Sequence, residues 1–128
     1  MTLRTPLSRV LGLGSAHDGT SGWWAERMTA VALVPLGLWF AFSLLSLDGL
    51  DYADVRDWAA SPLNTLLLGV LVVVTFYHSL LGVHVVIEDY VHSRPFAVVS
   101  LVLVDFAHVL LGAASLFAVL RVSFGAGP

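Results

Sequence analysis

Three long apolar runs dominate this chain of 128 residues and leave it few ways to fold. Residues 28–47 carry no charge at all. Residues 63–87 are broken only by His78 and His84, and residues 96–120 only by Asp105 and His108. Each run reaches the ~20 residues that a helix needs to cross a bilayer. Together they take up roughly 70 of the 128 residues, which leaves no length for a separate soluble domain. Charged residues make up 12% of the chain, about half the share of a soluble protein. The expectation is an all-α membrane protein, one domain over residues 1–128, with transmembrane helices at about 28–47, 63–87 and 96–120.

The segments between the runs suggest a topology. Residues 1–22 are rich in Gly, Ser and Thr and read as irregular, so residues 1–26 are assigned to an N-terminal arm. Trp23 and Trp24 suit an interfacial anchor, and Arg27 opens the first span. Pro35 falls inside that span and predicts a local bend, which membrane helices tolerate. The connection from Asp48 to Ser61 holds four aspartates and a single arginine, Arg56. Pro62 and Pro95 each suit the first turn of a new helix, where a missing N–H costs nothing. With three spans the termini lie on opposite sides. Arg4, Arg9, Arg27 and Arg94 then face Arg56 and Arg121, which favours a cytoplasmic N-terminus. The first 20 residues lack the apolar core of a secretory signal, and a bacterial inner membrane is the expected location.

Some functions are disfavoured. Without cysteine the chain cannot hold an iron–sulfur cluster, and it has no basic surface for nucleic acid. It shows no internal repeat of the kind that builds many transporters.

Ionisable side chains inside a span are costly and tend to mark function. His78 has two readings: a neutral imidazole bonded across a helix interface, or an axial ligand to haem iron. Asp89 lies eleven residues on, about 20° past three full turns and about 16 Å higher along a helix. The two therefore share a face, with Asp89 and Tyr90 at the lipid's edge. There Tyr90 is either an interfacial aromatic or a hydrogen-bond donor to a bound carbonyl. Gly82, one turn above His78, would admit a flat group close to the backbone. Arg27 is either a snorkelling anchor or a partner for a carboxylate. His84 is rotated about 120° from His78, and is expected to contact Glu88 or another helix. Asp105 and His108, spaced i, i+3, are expected to hydrogen-bond to each other.

The string His78-x3-Gly82 followed by Asp89-Tyr90-Val91 resembles the second helix of the hydrophobic membrane anchor of succinate dehydrogenase. Arg27-Met28-Thr29-Ala30 is similar to the start of that family's first helix. The resemblance covers almost the whole chain and implies half of a two-chain anchor helix bundle, non-catalytic alone. It implies that His78 ligates haem b, with the second axial histidine on a partner anchor subunit. It implies that Tyr90 and Asp89 form part of a ubiquinone site, and that Arg27 lies near the haem propionates or the quinone pocket. The implied partners are a second anchor, an iron–sulfur subunit and a flavoprotein subunit, all embedded in or attached to membrane lipid. The alternatives are an anchor of another quinone-linked enzyme, such as fumarate reductase, and a small proton-coupled transporter using Asp105, His108 and His78.

Overall fold

Side chains that are apolar all round a helix cannot be sorted into an inner and an outer face, so such a helix must be surrounded by lipid or by other helices. The computed structural model describes residues 17–125, with side chains from residue 21 onward, and every element in it is helical. The elements are α1 (His17–Leu45), α2 (Tyr52–Ala60), α3 (Pro62–Tyr90) and α4 (Arg94–Ser123). The three long helices have 29, 29 and 30 residues. At ~1.5 Å per residue each exceeds a ~30 Å hydrocarbon core and reaches into the headgroup layers. All three are long and apolar enough to cross a membrane.

Helices α3 and α4 extend past their apolar runs at both ends, and α1 extends past its run at the start but ends at Leu45, two residues short of the expected end. The arm expected to be irregular through residue 22 is helical from His17. Arg27 therefore sits ten residues inside α1 rather than opening it. Its Gly, Ser and Thr residues are weak helix formers, but they continue a helix whose packing is settled further along. Helix α1 also runs unbroken through Pro35. Residues 1–16, which hold Arg4 and Arg9, lie outside the described residues.

The connection with four aspartates contains the short helix α2. The Asp51 side chain caps it by accepting the Asp54 backbone N–H at 3.0 Å, and Asp54 lies in its first turn, where a carboxylate meets the positive end of the helix dipole. Its last carbonyls, which have no partner within the helix, are taken up by the long helices. Asn64 Nδ2 donates to the Trp58 carbonyl at 2.7 Å, and Thr65 Oγ1 and Ser123 Oγ donate to that of Ala59 at 2.8 and 3.2 Å. Trp58 stacks on Trp39 of α1, with ring centroids 5.9 Å apart. This short helix thus ties the ends of all three spans.

Helix α3 lies between the other two. It packs against both α1 and α4, whereas no Cα of α1 comes within 8 Å of a Cα of α4. The α3–α4 approach is close at Gly112, where an added Cβ would lie 3.4 Å from Phe76 Cγ. Such small residues let membrane helices approach one another. Among the described residues only Ala59 and Ile87 are buried apolar groups, and side chains such as Val34, Phe42, Leu103 and Phe117 stay exposed. An open layer of three helices with apolar outer faces is suited to lipid and to further subunits, and encloses no core of its own.

Candidate functional site

His78 faces α1. Its Nδ1 lies 2.9 Å from Thr29 Oγ1. The Thr29 hydroxyl also bonds back to its own helix, 2.8 Å from the Ala25 carbonyl and 2.9 Å from that of Glu26. This back-bonding is common for Ser and Thr within helices. His78 Nε2 has no hydrogen-bond partner among the described residues, and it is not sealed from the surface. One turn above, a Cβ built on Gly82 would meet nothing within 4 Å. The chain thus presents an intramembrane imidazole, pinned through one nitrogen, beside open space.

Tyr90 ends α3 and is 77% exposed, with Asp89 beside it also exposed. Neither side chain has a hydrogen-bond partner among the described residues. The backbone beneath them is fixed: the Val91 N–H donates to the Ile87 carbonyl at 2.9 Å, and His92 Nδ1 to that of Tyr90 at 3.0 Å. His92 thus serves as a cap on the helix end, a role its position in the sequence did not reveal.

Arg27 stacks over the Trp23 ring, 5.5 Å from its centroid, a cation–π arrangement. The Thr29–His78 bond sets the relative depth of the two helices. Arg27 lies two residues, about 3 Å, above that level, whereas Asp89 lies about 16 Å above it. The backbone of Arg27 is therefore near the depth of His78, while its guanidinium reaches a turn higher, toward Trp23.

The remaining ionisable groups join α3 to α4. His84 Nε2 donates to Asp105 Oδ1 at 2.7 Å. This is the contact with another helix that its phase allowed, and the one ion-pair geometry among the described residues. The expected Asp105–His108 bond does not form. His108 Nδ1 instead donates to the Val104 carbonyl at 2.9 Å, leaving Nε2 to accept from the Ser79 hydroxyl at 3.2 Å. The i, i+3 spacing allows a mutual bond, but both side chains turn to α3, where each finds a partner without competing for the other. The transporter reading loses its relay, because Asp105, His108 and His78 do not meet. Among the described residues no three His, Asp or Glu side chains converge as a metal cage.

An open apolar groove of about 590 Å³ lies at the other end of the α3–α4 seam, lined by residues including Thr65, Leu66, Gly69, Leu116 and Leu120. It shares no residue with the His78 region.

Residues 1–120 match the family model described as the succinate dehydrogenase/fumarate reductase transmembrane subunit. The chain is similar to the succinate dehydrogenase hydrophobic membrane anchor subunit of Paracoccus denitrificans, 32% identical over 95% of this chain and 94% of that one. It is also similar to the protein of the same description from Rickettsia bellii, 33% identical over 69% of this chain and 70% of that one. The succinate dehydrogenase membrane anchor subunit of Reclinomonas americana is 27% identical over 75% of this chain and 82% of its own. No solved structure matches the chain. A match over nearly all of its length, on three helices that can span a membrane, shows that the chain belongs to the succinate dehydrogenase/fumarate reductase transmembrane subunit family.

Proposed function

We propose that this chain is the hydrophobic anchor of a succinate:ubiquinone oxidoreductase in a bacterial inner membrane, with its N-terminus in the cytoplasm. In this reading it pairs with a second anchor, and the two hold an iron–sulfur subunit and a flavoprotein subunit at the membrane face. His78 supplies one axial ligand to haem b, and the partner anchor supplies the other. The observation that carries the reading is the His78 imidazole itself: inside a span, held at Nδ1 by Thr29, with Nε2 unpartnered and open space beside Gly82. That is the donor chemistry of an axial histidine. When bound, haem supplies a one-electron centre within the membrane. In this reading Arg27 serves the haem propionates or the quinone pocket, where its guanidinium pairs with a carboxylate or a carbonyl.

Ubiquinone is the substrate on the membrane side, and its reduction to the quinol takes two electrons and two protons. The Tyr90 hydroxyl donates a hydrogen bond to a quinone carbonyl, which polarises that carbonyl toward reduction. The Asp89 carboxylate, beside it at the water boundary, passes protons inward. Both residues are half of a site that another subunit completes.

The test is gentle solubilisation of native membranes followed by purification through this chain. Copurification of flavin, iron–sulfur clusters and a low-spin haem absorbance, with succinate-dependent quinone reduction, is the expected result. A colourless assembly of this chain alone, without flavin, would overturn the reading.

A further inference from the structure

We infer that Thr29 is a positioning residue for the iron ligand, fixing both the tautomer of His78 and its strength as a donor. The inference rests on the haem-ligand reading of His78 and goes beyond it to a residue on a different helix, 49 positions away in the chain.

A threonine hydroxyl has one proton to donate and two lone pairs to accept with. The Ala25 and Glu26 carbonyls, at 2.8 and 2.9 Å, are acceptors for that proton, and with the proton given to them a lone pair on Oγ1 faces His78. A bond at 2.9 Å to that lone pair requires the proton of the imidazole to be on Nδ1. A neutral imidazole carries a single N–H. Its other nitrogen, Nε2, then holds the free lone pair and is the atom able to ligate iron. The tautomer is set before any metal arrives.

The same bond tunes the ligand. Accepting from Nδ1–H draws the imidazole toward imidazolate character and raises the basicity of Nε2. A more basic ligand favours ferric over ferrous iron, which lowers the reduction potential. The carbonyls of Ala25 and Glu26 reinforce the effect, because a hydroxyl that is already donating is a better acceptor. Thr29 thus links the backbone of α1 to the electronic state of a group held by α3.

Three substitutions in the assembled complex test this. Thr29→Val keeps the shape and removes the hydroxyl, Thr29→Ala removes it without the branched methyls, and Thr29→Ser keeps it. The readouts are the midpoint potential of the haem and the ferric low-spin electron paramagnetic resonance spectrum, with flavin content as the measure of assembly. An upward shift of potential in Thr29→Val and Thr29→Ala, with Thr29→Ser near the parent value, is expected. Parent potentials and spectra in both Thr29→Val and Thr29→Ala overturn the inference. His78→Ala separates the two levels. If that complex keeps its haem spectrum, the ligand reading fails; if it loses the spectrum while Thr29→Val is unshifted, only the role of Thr29 fails.

Discussion

The His84 imidazole meets the Asp105 carboxylate at 2.7 Å across the α3–α4 seam, within two helices that can each span the membrane. Each residue alone would be a costly polar group at that depth. Together they form an interhelical clamp, and the nearby His108–Ser79 bond at 3.2 Å adds a second. Replacing Asp105 by Ala should destabilise the packed complex by about 0.6–2 kcal/mol, the range for hydrogen bonds between membrane helices. Thermal inactivation of His84→Ala, Asp105→Ala and the double variant measures this. The double variant should cost less than the sum of the singles; simple additivity would mean that the contact contributes nothing.

Of the three intramembrane histidines, only His78 should govern haem. His78→Ala is expected to abolish or alter the b-type spectrum of the purified complex. His84→Ala and His108→Ala should leave it intact, since those rings are engaged by Asp105 and by Ser79 and Val104. Optical spectra of the three purified variants check this.

Tyr90→Phe removes one hydroxyl at an exposed helix end and leaves the ring in place. If that hydroxyl donates to the quinone, its loss should lower succinate–quinone turnover by about 2–10-fold, the equivalent of a bond worth about 0.5–1.5 kcal/mol. Succinate oxidation by an artificial dye should be unchanged. Normal rates in both assays would leave Tyr90 as an interfacial anchor and nothing more.

Gly112 tests the seam by size. The nearest side-chain atom to an added Cβ is Phe76 Cγ at 3.4 Å, so Gly112→Ala should be tolerated after a small adjustment. Gly112→Leu has no comparable room and should cost about 1–3 kcal/mol through overpacking. The yield of intact complex after solubilisation distinguishes the two, and equal yields would show that α3 and α4 do not need this close approach.

The three spans were legible in the sequence because apolar runs of that length, in a chain too short to bury them, call for a bilayer. The contact between Thr29 and His78 was not, since neither residue carries a sign of a partner 49 positions away. The i, i+3 spacing of Asp105 and His108 pointed to each other only because α3 was missing from the argument. Helix α2 was hidden for a related reason. Its aspartates read as a solvated connection, while its stability comes from Trp58 against Trp39 and from side chains of α3 and α4. Short-range pattern identified the three long helices, and long-range partners decided what the polar residues do.

The position of α3 between two spans that do not meet gives the subunit two separate seams. The seam with α1 carries His78 and Thr29; the seam with α4 carries the His84–Asp105 clamp and the Gly112 approach. The two seams communicate only through α3, where His78 and Ser79 are neighbours, and through α2, which touches both outer spans. In the proposed reading the first seam answers to the cofactor, while the second keeps the chain in register within the bilayer.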